Sequence, residues 1–336
     1  MRSKLLSKKV LAILAGVGVL GSVTQGVSSP LIKIDGSSTV YPITEGVAEE
    51  FQKAKKGAVK VTVGISGTGG GFKKFCRGET DVQNASRPIL KKEMEECKKN
   101  GISYIELPVA YDGLAVVVNP KNNWATCMTV EQLKEVWKPE SQGKKIAWSD
   151  LDPKWPKEDI KLCGPGSDSG TFDYFTEAIM GKAKSQRGDY LASEDDNVLV
   201  QFAQKEKGSL CYFGLAYVEE NKGKVKAIQI KNPKTGKCVS PSAETVRSGE
   251  YNPLSRPLFI YVNVKAMDRP EVKEFVDFYL KNAGKISKQV GYIPLPEKAY
   301  DLGRKRVADK KIGTVFGGEP EVGLTVEELL KREAKE

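Results

Sequence analysis

Histidine is missing from all 336 residues, and that one absence removes the commonest catalytic designs. A Ser-His-Asp triad needs an imidazole to take the hydroxyl proton. Most side-chain acid–base schemes use one as well, and catalytic zinc is mostly held by histidine. The "SDSG" at Ser167–Gly170 therefore has no base to turn its serines into nucleophiles. Gly67–Gly71 is rich in glycine, but no Gly-Lys-Ser/Thr follows it and its spacing misses the dinucleotide fingerprint. No Cys-x-x-Cys occurs among the six cysteines, which leaves a metal without its usual ligand pairs. There is no basic stripe interleaved with aromatics of the kind that tracks nucleic acid. No catalytic residue, metal, cofactor or nucleic-acid partner is expected.

The apolar run Val10–Leu20 stops well short of the ~20 residues that span a bilayer. It follows Arg2, Lys4, Lys8 and Lys9 and precedes small and polar residues up to Ser29. That three-part build reads as a secretory signal over residues 1–29, with an uncleaved anchor as the alternative. Cleavage falls between Gly21 and Ser28, because Pro30 disfavours a cut directly after Ser29. An exported chain, in the periplasm or at the outer cell surface, uses cysteines as disulfides. Pairing between sequence neighbours is expected, Cys76–Cys97, Cys127–Cys163 and Cys211–Cys238, although some could instead be buried thiols. The formal net charge of +10 is scattered over solvated faces, and its mild field would draw small anions inward.

Three apolar strands run through Gly/Ser/Thr turns straight into amphipathic helices, within Leu31–Phe51, Val59–Phe75 and Ile160–Ile179. The first amides of a helix lack intrahelical partners, and the dipole there favours an anion. Ser38, Thr39 and Val40 occupy the first turn, Thr68 the second, and Ser169, Gly170 and Thr171 the third; Ser86 and Arg87 end a further short strand. Singly each turn reads as a helix cap or a surface loop. Together they point to a shared oxyanion site. Tyr104–Pro120 reads as an apolar strand pair crossing between lobes, and Ser255–Val264 as the return. A helix is expected from Thr129, a strand over Ile160–Cys163, a helix near Val198–Lys205, a strand over Ala227–Ile230 and helices over Pro270–Lys281 and Thr325–Lys335. Such a chain is α/β, with residues 30–112 plus 256–336 as a discontinuous first lobe and 113–255 as the second. A ligand would lie between them at strand carboxyl ends.

At "DGSSTVYP", "SGTGGGFKKFCRGETDVQNASRPI", "GSDSGTF" and "YNPLSRPLFIYV", the chain resembles the substrate-binding proteins of bacterial ABC phosphate importers. The resemblance runs in order from Leu31 to Pro296. It implies a two-lobe, type II periplasmic-binding fold, and a monomer that closes over inorganic phosphate and delivers it to a membrane permease. It also implies phosphate contacts from Ser38, Thr39, Val40, Thr68, Ser86, Ser169, Gly170 and Thr171. Two positions depart from the better-known branch. Ser86 stands where that branch has an aspartate acceptor, and no arginine precedes Ser169 near Pro165. Arg87 is expected to supply the cation, and Asp168 or Asp112 the acceptor. The alternatives are a binding protein for sulfate, molybdate or an organic phosphate, and a secreted phosphoesterase using carboxylates or a borrowed metal.

Overall fold

The computed structural model describes residues 29–167, 169–193, 195–318 and 325–335. The leader segment and Asp168 lie outside the described residues. The chain opens with β1 (Leu31–Gly36), α1 (Tyr41–Ala54), β2 (Lys60–Val63), α2 (Gly67–Cys76), β3 (Val82–Ala85), α3 (Lys91–Lys99) and β4 (Tyr104–Val118). There follow β5 (Cys127–Met128), α4 (Val130–Trp137), α5 (Trp148–Leu151), β6 (Lys161–Gly164), α6 (Gly170–Met180), β7 (Leu191–Ala192), α7 (Asp196–Lys205), β8 (Ser209–Gly214) and α8 (Leu215–Glu220). Short strands β9 (Lys226–Ala227), β10 (Gln229–Lys231) and β11 (Cys238–Val239) lead through α9 (Ala243–Arg247) to β12 (Ser255–Asn263). The chain ends with α10 (Pro270–Gln289), β13 (Ile293–Pro294), α11 (Glu297–Ala308) and α12 (Val326–Lys335).

One sheet runs β2-β1-β3-β12-β4-β8-β6-β7, with β9 and β13 also paired to β4. The β1, β2 and β3 strands are parallel, as are β6, β7 and β8, and β12 and β4 run antiparallel between the two sets. This gives the two-lobe arrangement, with turns at the carboxyl ends of β1, β2, β3 and β6 facing one region. The Tyr104–Pro120 stretch is one continuous strand rather than a pair. Asp112-Gly113 resembles a turn dipeptide, but at this point β4 passes from β12 to β8 and is paired on both sides of it. Every residue of β4 and β12 is buried, which is why both read as near-continuous apolar runs. The Ala227–Ile230 strand is split into β9 and β10, which join different sheets. The 20-residue α10 runs well past Lys281 and packs on α1 through Phe275 and Phe51, whose rings meet edge-on.

All three disulfides form, but two partners differ from the neighbour-pairing expectation. Cys76 joins Cys97 as expected, tying α2 to α3. Cys163–Cys211 replaces Cys127–Cys163, because these residues are register partners on adjacent β6 and β8. Cys127–Cys238 replaces Cys211–Cys238, since β5 and β11 flank β10 in the three-stranded sheet. Sequence proximity is a poor guide where a sheet brings distant strands together. The Cys127–Cys238 bridge closes a separation of 111 residues, so replacing both by serine is expected to cost about 2–5 kcal/mol. Denaturant unfolding of the oxidised double variant checks this, and peptide mapping without reduction checks the pairing.

Candidate functional site

The β1–α1 turn is shaped by Ser37. Its hydroxyl oxygen accepts from the Thr39 and Val40 amides at 3.2 and 3.4 Å, and its own amide donates to the Asn84 carbonyl at the end of β3. Thr39 and Val40 are buried and Ser38 is partly so. The second turn is tighter than expected: helix α2 begins at Gly67, so the glycines form its first turns. Gly71 has to be glycine, because a Cβ there would sit 2.5 Å from the Gly36 Cα and 2.1 Å from Gln83 Oε1. Behind this turn, Asp35 accepts from Ser66 Oγ, Lys74 Nζ and the Gly36 amide at 2.5–2.7 Å. Burial pushes its carboxyl up, but these three donors outweigh it and hold the carboxyl below its usual range.

In the third turn Ser169 caps α6, its hydroxyl oxygen accepting from the Thr171 amide at 3.1 Å. A hydroxyl that accepts still carries a proton to donate. The first and third turns touch: a Cβ built on Gly170 would lie 2.3 Å from both Thr39 N and Thr39 Oγ1. Thr68 and Ser86 also meet, their hydroxyls 2.9 Å apart, with the Ser86 amide donating to Thr68 Oγ1. Arg87, however, is committed elsewhere. Its two terminal nitrogens donate to the two carboxylate oxygens of Glu93 at 2.8 and 2.9 Å, and its guanidinium lies over the Phe72 ring.

Arg256, at the start of β12, is a buried cation beside the Thr39 turn, and the sequence analysis does not single it out. Only 7% exposed, it donates from Nη2 to Thr39 Oγ1 at 3.2 Å and from Nη1 to Glu177 at 3.4 Å. Its guanidinium lies 3.6 Å from the centre of the Tyr174 ring, close enough for a desolvated cation–π contact. Asp112 is its register partner on β4, with Oδ2 3.9 Å from Arg256 Nε. Neither of those two atoms has a hydrogen-bond partner among the described residues. Burial raises the Asp112 carboxyl to about 6, against the pull of Arg256 and a bond from the Gly113 amide. A signal for Arg256 was present, because Ser-Arg-Pro occurs twice, at 86–88 and 255–257. Both tripeptides, with Tyr174 and Glu177, line one cavity of about 300 Å³. Among the described residues no group of three or more His, Cys, Asp or Glu could hold a metal, and no helix is long and apolar enough to cross a membrane.

A family model described as a PBP superfamily domain matches residues 22–283. Protein SphX of Synechocystis sp. is 52% identical over 316 residues, 94% of this chain and 93% of its own. The phosphate-binding protein PstS of Staphylococcus saprophyticus is 40% identical over 300 residues, 88% of this chain and 90% of its own. A solved structure described as a possible phosphate binding protein from Planctomyces limnophilus is 51% identical with a TM-score of 0.79, covering 84% of this chain and 99% of that one. Buried strand pairing, two facing sets of turns and near end-to-end similarity all agree, and the chain belongs to the PBP superfamily, among the PstS-like binding proteins.

Proposed function

We propose that this protein binds inorganic phosphate outside the cytoplasm and, as a monomer exported by its leader, hands it to a membrane ABC importer without altering it chemically. The observation that carries the reading is the convergence of the Thr39 turn, the Gly170 helix end and the buried Arg256 at one point. The lobes would pivot where Asp112 and Arg256 pair, at the boundaries 112/113 and 255/256. Amides and hydroxyls of Ser38, Thr39, Val40, Ser169, Gly170 and Thr171 would surround the anion, with Thr68 and Ser86 completing its wall. Arg256 takes the cation's part, and Arg87, neutralised by Glu93, holds the wall carrying Ser86. Hydrogen bonds to a charged group contribute about 1.5–3 kcal/mol each. Five or more, opposed by desolvation and closure, are compatible with micromolar binding, about −8 kcal/mol. Titration calorimetry of the mature chain with phosphate tests the reading; no heat of binding removes it.

Asp112 is the proposed acceptor. Phosphate near neutral pH carries a proton that an ionised carboxylate can accept, whereas sulfate has none and is repelled. Asp112→Asn is expected to narrow the phosphate-over-sulfate ratio about tenfold or more, the cost of one charged hydrogen bond. In the wild type the same ratio falls as pH drops through about 6, where Asp112 takes up a proton and stops accepting. The variant should lack this contribution and keep only the pH dependence that phosphate's own ionisation imposes. Competition titrations at pH 5 and pH 8 read both effects, and an unchanged ratio in the variant rules out Asp112.

A further inference from the structure

Four residues of α6 and its cap, Gly170, Tyr174, Glu177 and Gly181, recur at helical spacing and so share one face. That face is turned toward the other lobe. Gly170 abuts Thr39, Tyr174 stacks on Arg256, and Tyr174, Glu177 and Gly181 line the cavity holding both Ser-Arg-Pro segments. Glu177 is 42% exposed in its side chain and lies at the outer end of this contact. Its carboxylate reaches Arg256 Nη1 at 3.4 Å, while Arg256 Nη2 points to Thr39. The guanidinium thus stands between the carboxylate and the turn proposed to hold the anion. Arg87, on the first lobe, lines the same cavity and lies within Coulombic reach of Glu177.

We propose that Glu177 is a positioning residue that latches α6 across the cleft through its bond to Arg256, and so sets how slowly a bound anion leaves. The inference rests on the phosphate reading above. It assigns Glu177 no contact with the anion, because Arg256 lies between them. A carboxylate bonded to the Arg256 guanidinium favours the closed arrangement and orients Arg256 toward Thr39, so its removal acts on opening. Affinity differences of this kind fall mainly on the dissociation rate.

The test is stopped-flow release of phosphate from Glu177→Gln and Glu177→Lys. Glutamine keeps the shape and removes the charge; lysine reverses it. Glu177→Gln is expected to release phosphate about two- to fivefold faster at low salt, the range of a partly exposed ion pair. Glu177→Lys should be faster again, and Glu177→Gln should retain the wild-type association rate within about twofold. Near 1 M salt, where the screening length is about 3 Å, the release rates should converge. A general loosening of α6 would not vanish with salt, so convergence separates a latch from a structural defect. Unchanged or slower release in Glu177→Gln, or a gain in affinity from lost repulsion, overturns the latch and leaves the phosphate reading standing. A wild-type chain that binds no phosphate overturns both.

Discussion

Arg256→Ala is expected to lower phosphate affinity by roughly 100- to 1,000-fold, measured by titration calorimetry at neutral pH. Arg256 is 7% exposed and is the only guanidinium among the described residues that meets the Thr39 turn. Deleting it removes the charge opposite the anion and leaves Asp112, 4% exposed, without its counter-charge. Breaking a buried pair from one side costs about 3–5 kcal/mol, and each 1.4 kcal/mol is tenfold in binding. Part of that cost falls on folding, so the variant's thermal midpoint has to be measured beside its affinity. The double variant Arg256→Met, Asp112→Leu removes both charges; it should regain stability while its affinity stays as low as that of Arg256→Ala. Arg87→Ala, in contrast, should lose less than tenfold, since two hydrogen bonds to Glu93 already satisfy that guanidinium. If Arg87→Ala proved as damaging as Arg256→Ala, the assignment of the cation would be wrong.

What could be read without coordinates was whatever depends on neighbours along the chain. The strand–turn–helix units around Thr39, Thr68 and Thr171 announce themselves by local composition, as does the Thr129 cap, whose capping box with Gln132 forms. What could not be read depends on register between distant strands. Nothing near Cys163 in the sequence points to Cys211, yet β6 and β8 pair them directly. The same applies to Asp112 and Arg256, brought together by the β4–β12 ladder. Arg87 was the natural choice of cation because it adjoins Ser86, but a partner six residues later, Glu93, claims it. The recurrence of Ser-Arg-Pro was visible; that both copies face one cavity is a property of the sheet. Tyr104–Pro120 reads as a strand pair yet forms one strand for a related reason, because its two halves pair with different neighbours, β12 and β8.

Gly170→Ala offers the sharpest separation of binding from stability. At the first position of a helix alanine loses less backbone freedom than glycine, by up to about 1 kcal/mol in a helix interior. The second lobe alone should therefore fold as well as before or slightly better. The added methyl nevertheless lies 2.3 Å from Thr39 N and 2.3 Å from Thr39 Oγ1, a distance at which atoms of the two lobes overlap. The obstruction is main chain, not the tip of a flexible side chain, so relief requires the lobes to part. Parting them withdraws α6 amides from the anion and weakens the contacts of Tyr174 and Glu177 with Arg256. Losing two charged hydrogen bonds alone amounts to about 3–6 kcal/mol. Phosphate affinity should fall by about 100-fold or more while the unfolding midpoint of the ligand-free chain falls by no more than a few degrees. Small-angle scattering is expected to show phosphate compacting the wild type but not the variant. Retained affinity with a compacted variant would mean that Thr39 and Gly170 do not face each other across the closed site.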